Sequence, residues 1–117
     1  MNSQFPDIPS LLQTALKEEL YEKLILQLNK DFNYANIPVD FKEDLKPEQL
    51  KRELHEVLCR LILEKFADYL NLLYIIDVSE EQVKKLDGED AVVISEQVAF
   101  LVLKREWLKV WFKNRYK

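Results

Sequence analysis

Leucine recurs at Leu12, Leu16, Leu20, Leu24 and Leu28. That spacing predicts a helix from about Ser10, where Ser10 and Gln13 fit a capping box, to about Leu28. Because the helical repeat is 3.6 residues, the ridge drifts by about 40° per step and meets different neighbours at its two ends. Residues 1–9 hold Pro6 and Pro9 and read as an irregular arm. Residues 29–46 lose the helical period but carry Phe32, Tyr34, Ile37, Val39 and Phe41, so they read as a long crossover loop packed on the domain, with Ile37–Phe41 as a candidate extended piece. Pro47 then suits a first helical position, and Leu50, Leu54, Val57, Leu58, Leu61, Ile62, Phe66, Tyr69 and Leu73 continue one long helix. Leu72–Val78 suits a helix or a short strand, and the unbroken period favours the helix. Ser79 with Gln82 opens a short helix, Glu80–Leu86, which Asp87-Gly88 ends. Asp90 caps a final helix running nearly to the end of the sequence.

These elements predict an all-α fold: one domain over residues 1–117, an irregular bundle of three long helices and one short one. In the final helix Val98–Leu103 is continuously apolar, and a helix that is apolar all round is a buried one. A chain of 117 residues has few elements to surround it, so part of the cover is expected from another chain. The expected function is a non-catalytic interaction or structural protein that self-associates or binds a protein partner, through Phe100, Leu103, Trp107 and Trp111.

Composition narrows the chemistry. One glycine excludes both common glycine-rich phosphate loops, and one cysteine excludes an internal disulfide or a multi-cysteine metal site. No leader pattern or long apolar run is present, so a cytoplasmic setting is expected. The net charge of −4 divides unevenly: residues 1–103 carry −9 and residues 104–117 carry +5. A basic end can complement a helix C-terminus, dock on the acidic body of its own or a second chain, or attract a polyanion. The last use gives the alternative function, nucleic-acid binding through Lys109, Lys113, Arg115 and Lys117. The acidic body opposes it. Trp107, Trp111, Phe112 and Tyr116 among these cations also suit a membrane surface, but charge and apolar residues are interleaved there rather than segregated.

His55, Glu56 and Cys59 spell H-E-x-x-C, one residue from the zinc-protease motif, but no second histidine exists to complete a metal set. His55 with Cys59 as base and nucleophile lacks an oxyanion device. Glu64, Asp68, Glu43 and Asp44 do not converge, and Glu80-Glu81 suits a solvated helix start. The sequence therefore points to no catalytic residue, cofactor, metal or small-molecule substrate.

Leu108-Lys109-Val110-Trp111-Phe112-Lys113-Asn114-Arg115 resembles the start of the homeodomain recognition helix, V-K-V-W-F-Q-N-R-R. The resemblance implies Trp111 and Phe112 as core anchors and Lys113 and Asn114 as major-groove readers. Its context is missing: Leu101–Lys104 continue a helix where that family turns, no basic arm precedes it, and Tyr116 replaces a second arginine. The match is read as accidental. The stretch Leu73-Tyr74-Ile75-Ile76-Asp77-Val78-Ser79-Glu80-Glu81, followed by a helix ending in Arg105-Glu106 and a basic tail, is similar to small uncharacterised helical proteins of Bacteroidetes-type bacteria. That resemblance implies a bacterial cytoplasmic setting and no activity.

Overall fold

Asp90 accepts the Val93 N–H at 3.0 Å and starts a helix, Ala91–Arg115, of 25 residues. At 1.5 Å per residue it is about 37 Å long, and the longest dimension of the molecule is 37 Å. The computed structural model describes residues 5–86 and 90–116. In chain order the helices are α1 (Ile8–Lys17), α2 (Tyr21–Tyr34), α3 (Pro47–Glu64), α4 (Phe66–Ile76), α5 (Glu80–Lys84) and α6 (Ala91–Arg115). No strand occurs among the described residues. The fold is all-α.

Helix α6 packs against α1, α2, α3 and α4, with α3 its largest partner. This explains the continuous apolar run and corrects the expectation drawn from it. Val98, Ala99, Val102, Leu103, Trp107 and Val110 are buried by the chain's own helices, alongside Leu24, Leu28, Leu54, Leu58, Leu72 and Ile76. The neighbours were undercounted because two expected helices are each divided in the structure.

The first division falls after Lys17. The Leu20 N–H reaches the Ala15 carbonyl at 2.9 Å and the Glu19 N–H reaches Leu16 at 3.0 Å, with Glu19 left-handed at φ 59°. This Schellman closure turns the chain so that α2 packs on α1, and Leu16 is left exposed. Helix α2 closes in the same way. Asn36 is left-handed at φ 64°, and the Ile37 N–H bonds to the Phe32 carbonyl at 2.9 Å. The second division is at Lys65 (φ −141°, ψ 62°), with neither glycine nor proline nearby. It lets α4 pack on α2, α3 and α6. Leu72–Ile76 is helix, ending at left-handed Asp77. At the front, Asp7 rather than Ser10 is the N-cap, accepting the Ser10 N–H at 2.9 Å, so the irregular arm is shorter than expected.

The crossover segment begins at Ala35 rather than at residue 29. It is a strap tied down by side chains of α2. Asn29 donates to the Phe41 carbonyl at 2.9 Å and accepts the Phe41 N–H at 2.8 Å. Asn33 donates to Val39 at 3.0 Å, and the Tyr21 hydroxyl donates to Leu45 at 2.6 Å. Phe41 meets Phe32 edge-on at 5.7 Å. These bonds supply partners that a strap without regular structure would otherwise lack. Pro47 opens α3, where Gln49 Oε1 accepts the Lys46 N–H at 3.0 Å, and Ser79 caps α5 as the sequence indicates. The expected stop at Asp87-Gly88 lies outside the described residues.

Candidate functional site

The four residues expected to face a partner separate. Leu103 and Trp107 lie inside the core, covered by the chain itself, and are not available to one. Phe100 and Trp111 are half-buried at the core's edge. Lys104 sits over the Phe100 ring at 4.5 Å, and Arg115 over the Trp111 ring at 5.1 Å. Phe112 and Tyr116 stack beyond them, with centroids 6.0 Å apart, and both are exposed.

The basic tail is not a uniform phosphate-facing stripe. Lys109 points inward: its Nζ lies 2.8 Å from Asp31 Oδ2 on α2 and 3.2 Å from Glu106 Oε1. Lys113 donates to Gln27 Oε1 at 3.0 Å, and Gln27 Nε2 in turn donates to both Asp31 oxygens at 3.2 Å. The Arg115 guanidinium lies against Trp111. Lys117 lies outside the described residues. The nucleic-acid alternative thereby loses Lys109, which is turned inward and paired with Asp31.

Glu106 is completely buried, and as a carboxylate neither of its oxygens has a well-aligned donor. Burial pushes its carboxyl up to about 9, the neighbouring Asp31 adds to the rise, and Lys109 opposes it. Burial pushes Asp31 upward too. Hydrogen bonds with Glu106, Lys109 and Gln27, with the Lys109 charge, outweigh that and hold Asp31 below the usual carboxylate range. The arrangement is consistent when Glu106 keeps a proton and donates it to ionised Asp31, so the group carries one carboxylate against one ammonium. Sequence reading missed this network because Asp31 and Lys109 are 78 positions apart. The only local sign was an acidic residue inside an apolar helical face.

The zinc-like residues do not assemble. His55 Nε2 lies 3.0 Å from the Val92 carbonyl at the start of α6, and Cys59 is a half-buried free thiol. Among the described residues no three His, Cys, Asp or Glu side chains cluster in a metal-holding group. No described helix is long and apolar enough to cross a membrane.

A different surface was hidden in the periodicity. Phe66, expected to continue the core, is exposed at 55%, with Leu70 at 50%, Leu63 at 68% and Tyr74 at 83%. Helical spacing puts Phe66, Leu70 and Tyr74 in one stripe along α4, with Leu63 just before it. Ala67 and Asn71 are exposed on the same helix. Beside the stripe runs a groove of about 540 Å³, lined by Leu70, Tyr74, Val78 and Val83 together with the charged Asp77, Glu80 and Lys84. Comparison with protein-family models, curated proteins and solved structures finds no match to this chain.

Proposed function

We propose that this chain is a non-catalytic interaction protein that self-associates through α4. The observation that carries the reading is the apolar stripe of Phe66, Leu70 and Tyr74 on that helix, uncharged although half-buried Asp68 lies on the same helix and exposed Glu64, Lys65 and Asp77 flank it. The chain is 32% charged, yet every exposed residue within α4, Phe66, Ala67, Leu70, Asn71 and Tyr74, is uncharged. An exposed apolar stripe with an adjoining groove marks an interaction surface.

A second copy suits it better than an acidic or basic partner. Two acidic bodies repel, and a neutral face is where they can meet at least electrostatic cost. In an antiparallel pairing about a two-fold axis near Leu70, Phe66 of one copy lies opposite Tyr74 of the other, at the mouth of the groove. The same axis brings exposed Lys65 near Asp77 of the second copy and sets the helix dipoles antiparallel. Asp77 accepts from Arg105 at 3.1 Å and remains mostly exposed, so it can take a second cation.

Light scattering after size exclusion tests this. Wild type should give twice the 14.0 kDa chain mass, and Leu70→Asp and Phe66→Asp should give the single mass with unchanged helicity. Phe112→Asp, on the far aromatic surface, should remain paired. A wild-type monomer at the highest soluble concentration would overturn the reading. Loss of pairing only in Phe112→Asp would move the interface back to the final helix.

A further inference from the structure

We propose that the groove between α2 and α6 binds a phosphate monoester, with its phosphate among Lys23, Lys30 and Lys113 and its organic part against Leu26 and Val110. This site is separate from the α4 surface and does not depend on self-association. The groove has a volume of about 310 Å³, near the lower end for small-molecule sites, and no acidic side chain lines it among the described residues.

Two of the lysines are held in a way that leaves their charge unspent. Lys113 donates to the amide oxygen of Gln27 at 3.0 Å, and Lys23 donates to that of Asn114 at 3.4 Å. A neutral amide orients an ammonium without neutralising it and leaves its other N–H donors for a ligand. None of the three lysines forms an ion pair among the described residues, whereas Lys42, Arg105 and Lys109 all do. Gln27 is itself more than nine-tenths buried, and its orientation is set from behind. Its Nε2 donates to both Asp31 oxygens, so Oε1 is turned toward Lys113. Lys109 supplies the counter-charge to Asp31 inside the protein. The acid behind the groove is therefore compensated before its field reaches the lysines.

Three ammonium groups and no guanidinium suit a compact, multiply charged oxyanion better than a planar carboxylate. Lysine acts toward phosphate as a point charge, while bidentate carboxylate recognition is the strength of arginine. Leu26 is 48% exposed, with the buried Val110 also lining the groove, and this apolar wall would be left uncovered by bare phosphate. That wall argues for an ester rather than the free ion.

The test is a backbone amide NMR titration at constant ionic strength and constant pH, with inorganic phosphate, then phenyl phosphate, then chloride. The expected result is saturable shifts confined to residues 23–30 and 110–114, tighter for phenyl phosphate and absent for chloride. Lys113→Met should weaken binding at least tenfold, and Lys84→Met on α5 should not change it. Lys30→Met, at an exposed position, repeats the test if Lys113→Met fails to fold. Gln27→Leu should weaken binding with all three lysines still present. Co-sedimentation with phosphatidic acid vesicles, against phosphatidylcholine vesicles, separates the sources. Retention lost in Lys113→Met assigns a lipid headgroup, and saturable phenyl phosphate binding without retention assigns a soluble ester. Linear, unsaturated shifts, or shifts shared by Lys42 and Lys84, would overturn the proposal.

Discussion

Glu106 shows how one residue can set the pH response of the whole chain. In the folded state its proton is held up to about pH 9, against 4.5 for the free side chain. Between those values the folded chain binds a proton that the unfolded chain has released. Unfolding free energy therefore falls as pH rises across this window, by at most about 1.4 kcal/mol per pH unit. Asp31 works in the other direction. Its contribution is present above its unfolded value of 3.8 and is lost as pH falls through its lowered folded value. Stability should thus be highest in the mildly acid range and decline toward pH 9. Glu106→Gln keeps the shape and an N–H donor for Asp31 but has no proton to lose. Urea unfolding at a series of pH values should show the neutral-to-alkaline decline flattened in this variant, and greater stability than wild type near pH 8. An unchanged slope would mean that Glu106 is ionised in the folded chain.

At the scale of elements, the helix ends carry the main lesson. Three of the six described starts were legible: Pro47, Ser79 and Asp90 mark real helix beginnings because capping uses particular side chains at fixed offsets, whereas Asp7 takes the place expected of Ser10 and no side-chain cap marks Tyr21 or Phe66. Two internal stops were not legible, since Glu19 and Asn36 stand where glycine is the usual signal. What the closures share is an apolar residue five positions after a buried one, Ala15 with Leu20 and Phe32 with Ile37, a pattern that also fits an uninterrupted helix. A left-handed glutamate carries a steric cost that glycine avoids. Glu19→Gly should raise stability by about 0.5–1 kcal/mol, as a higher urea midpoint at unchanged slope. A lower midpoint would show that the carboxylate contributes more than the turn costs. The strap gives the opposite case. Asn29 reads as a loop residue because it is polar, and it is polar because it bonds the strap from within a helix. Asn29→Ala should cost about 1–3 kcal/mol by leaving the Phe41 N–H and carbonyl unpaired in a part-buried place. Hydrogen exchange should speed up at Phe41 before it does in α6. Uniform acceleration would mean that the strap and the core open together.

On the scale of the whole molecule, the apolar excess of α6 was visible in the sequence, but its meaning depended on how many helices surround it, which periodicity alone did not settle. Four helices cover it, so the unsatisfied surface moves elsewhere. It falls on α4, whose Phe66 and Leu70 continue the same period as the buried Tyr69 and Leu73 and could not be told apart from them without the turn at Lys65. If α4 pairs two copies, folding and association are linked, because pairing is available only to the folded chain. Each tenfold rise in concentration then adds about 1.4 kcal/mol per pair. Spread over the two chains that unfold together, that raises Tm by about 3 °C. Calorimetry across the soluble range should find this rise in wild type and a concentration-independent Tm in Leu70→Asp. A flat wild-type Tm in a sample that light scattering shows to be paired would place the contact outside the folded core's cooperative unit. A concentration-dependent Tm that persists in Leu70→Asp would assign the pairing to the aromatic surface at Phe112 and Tyr116 instead.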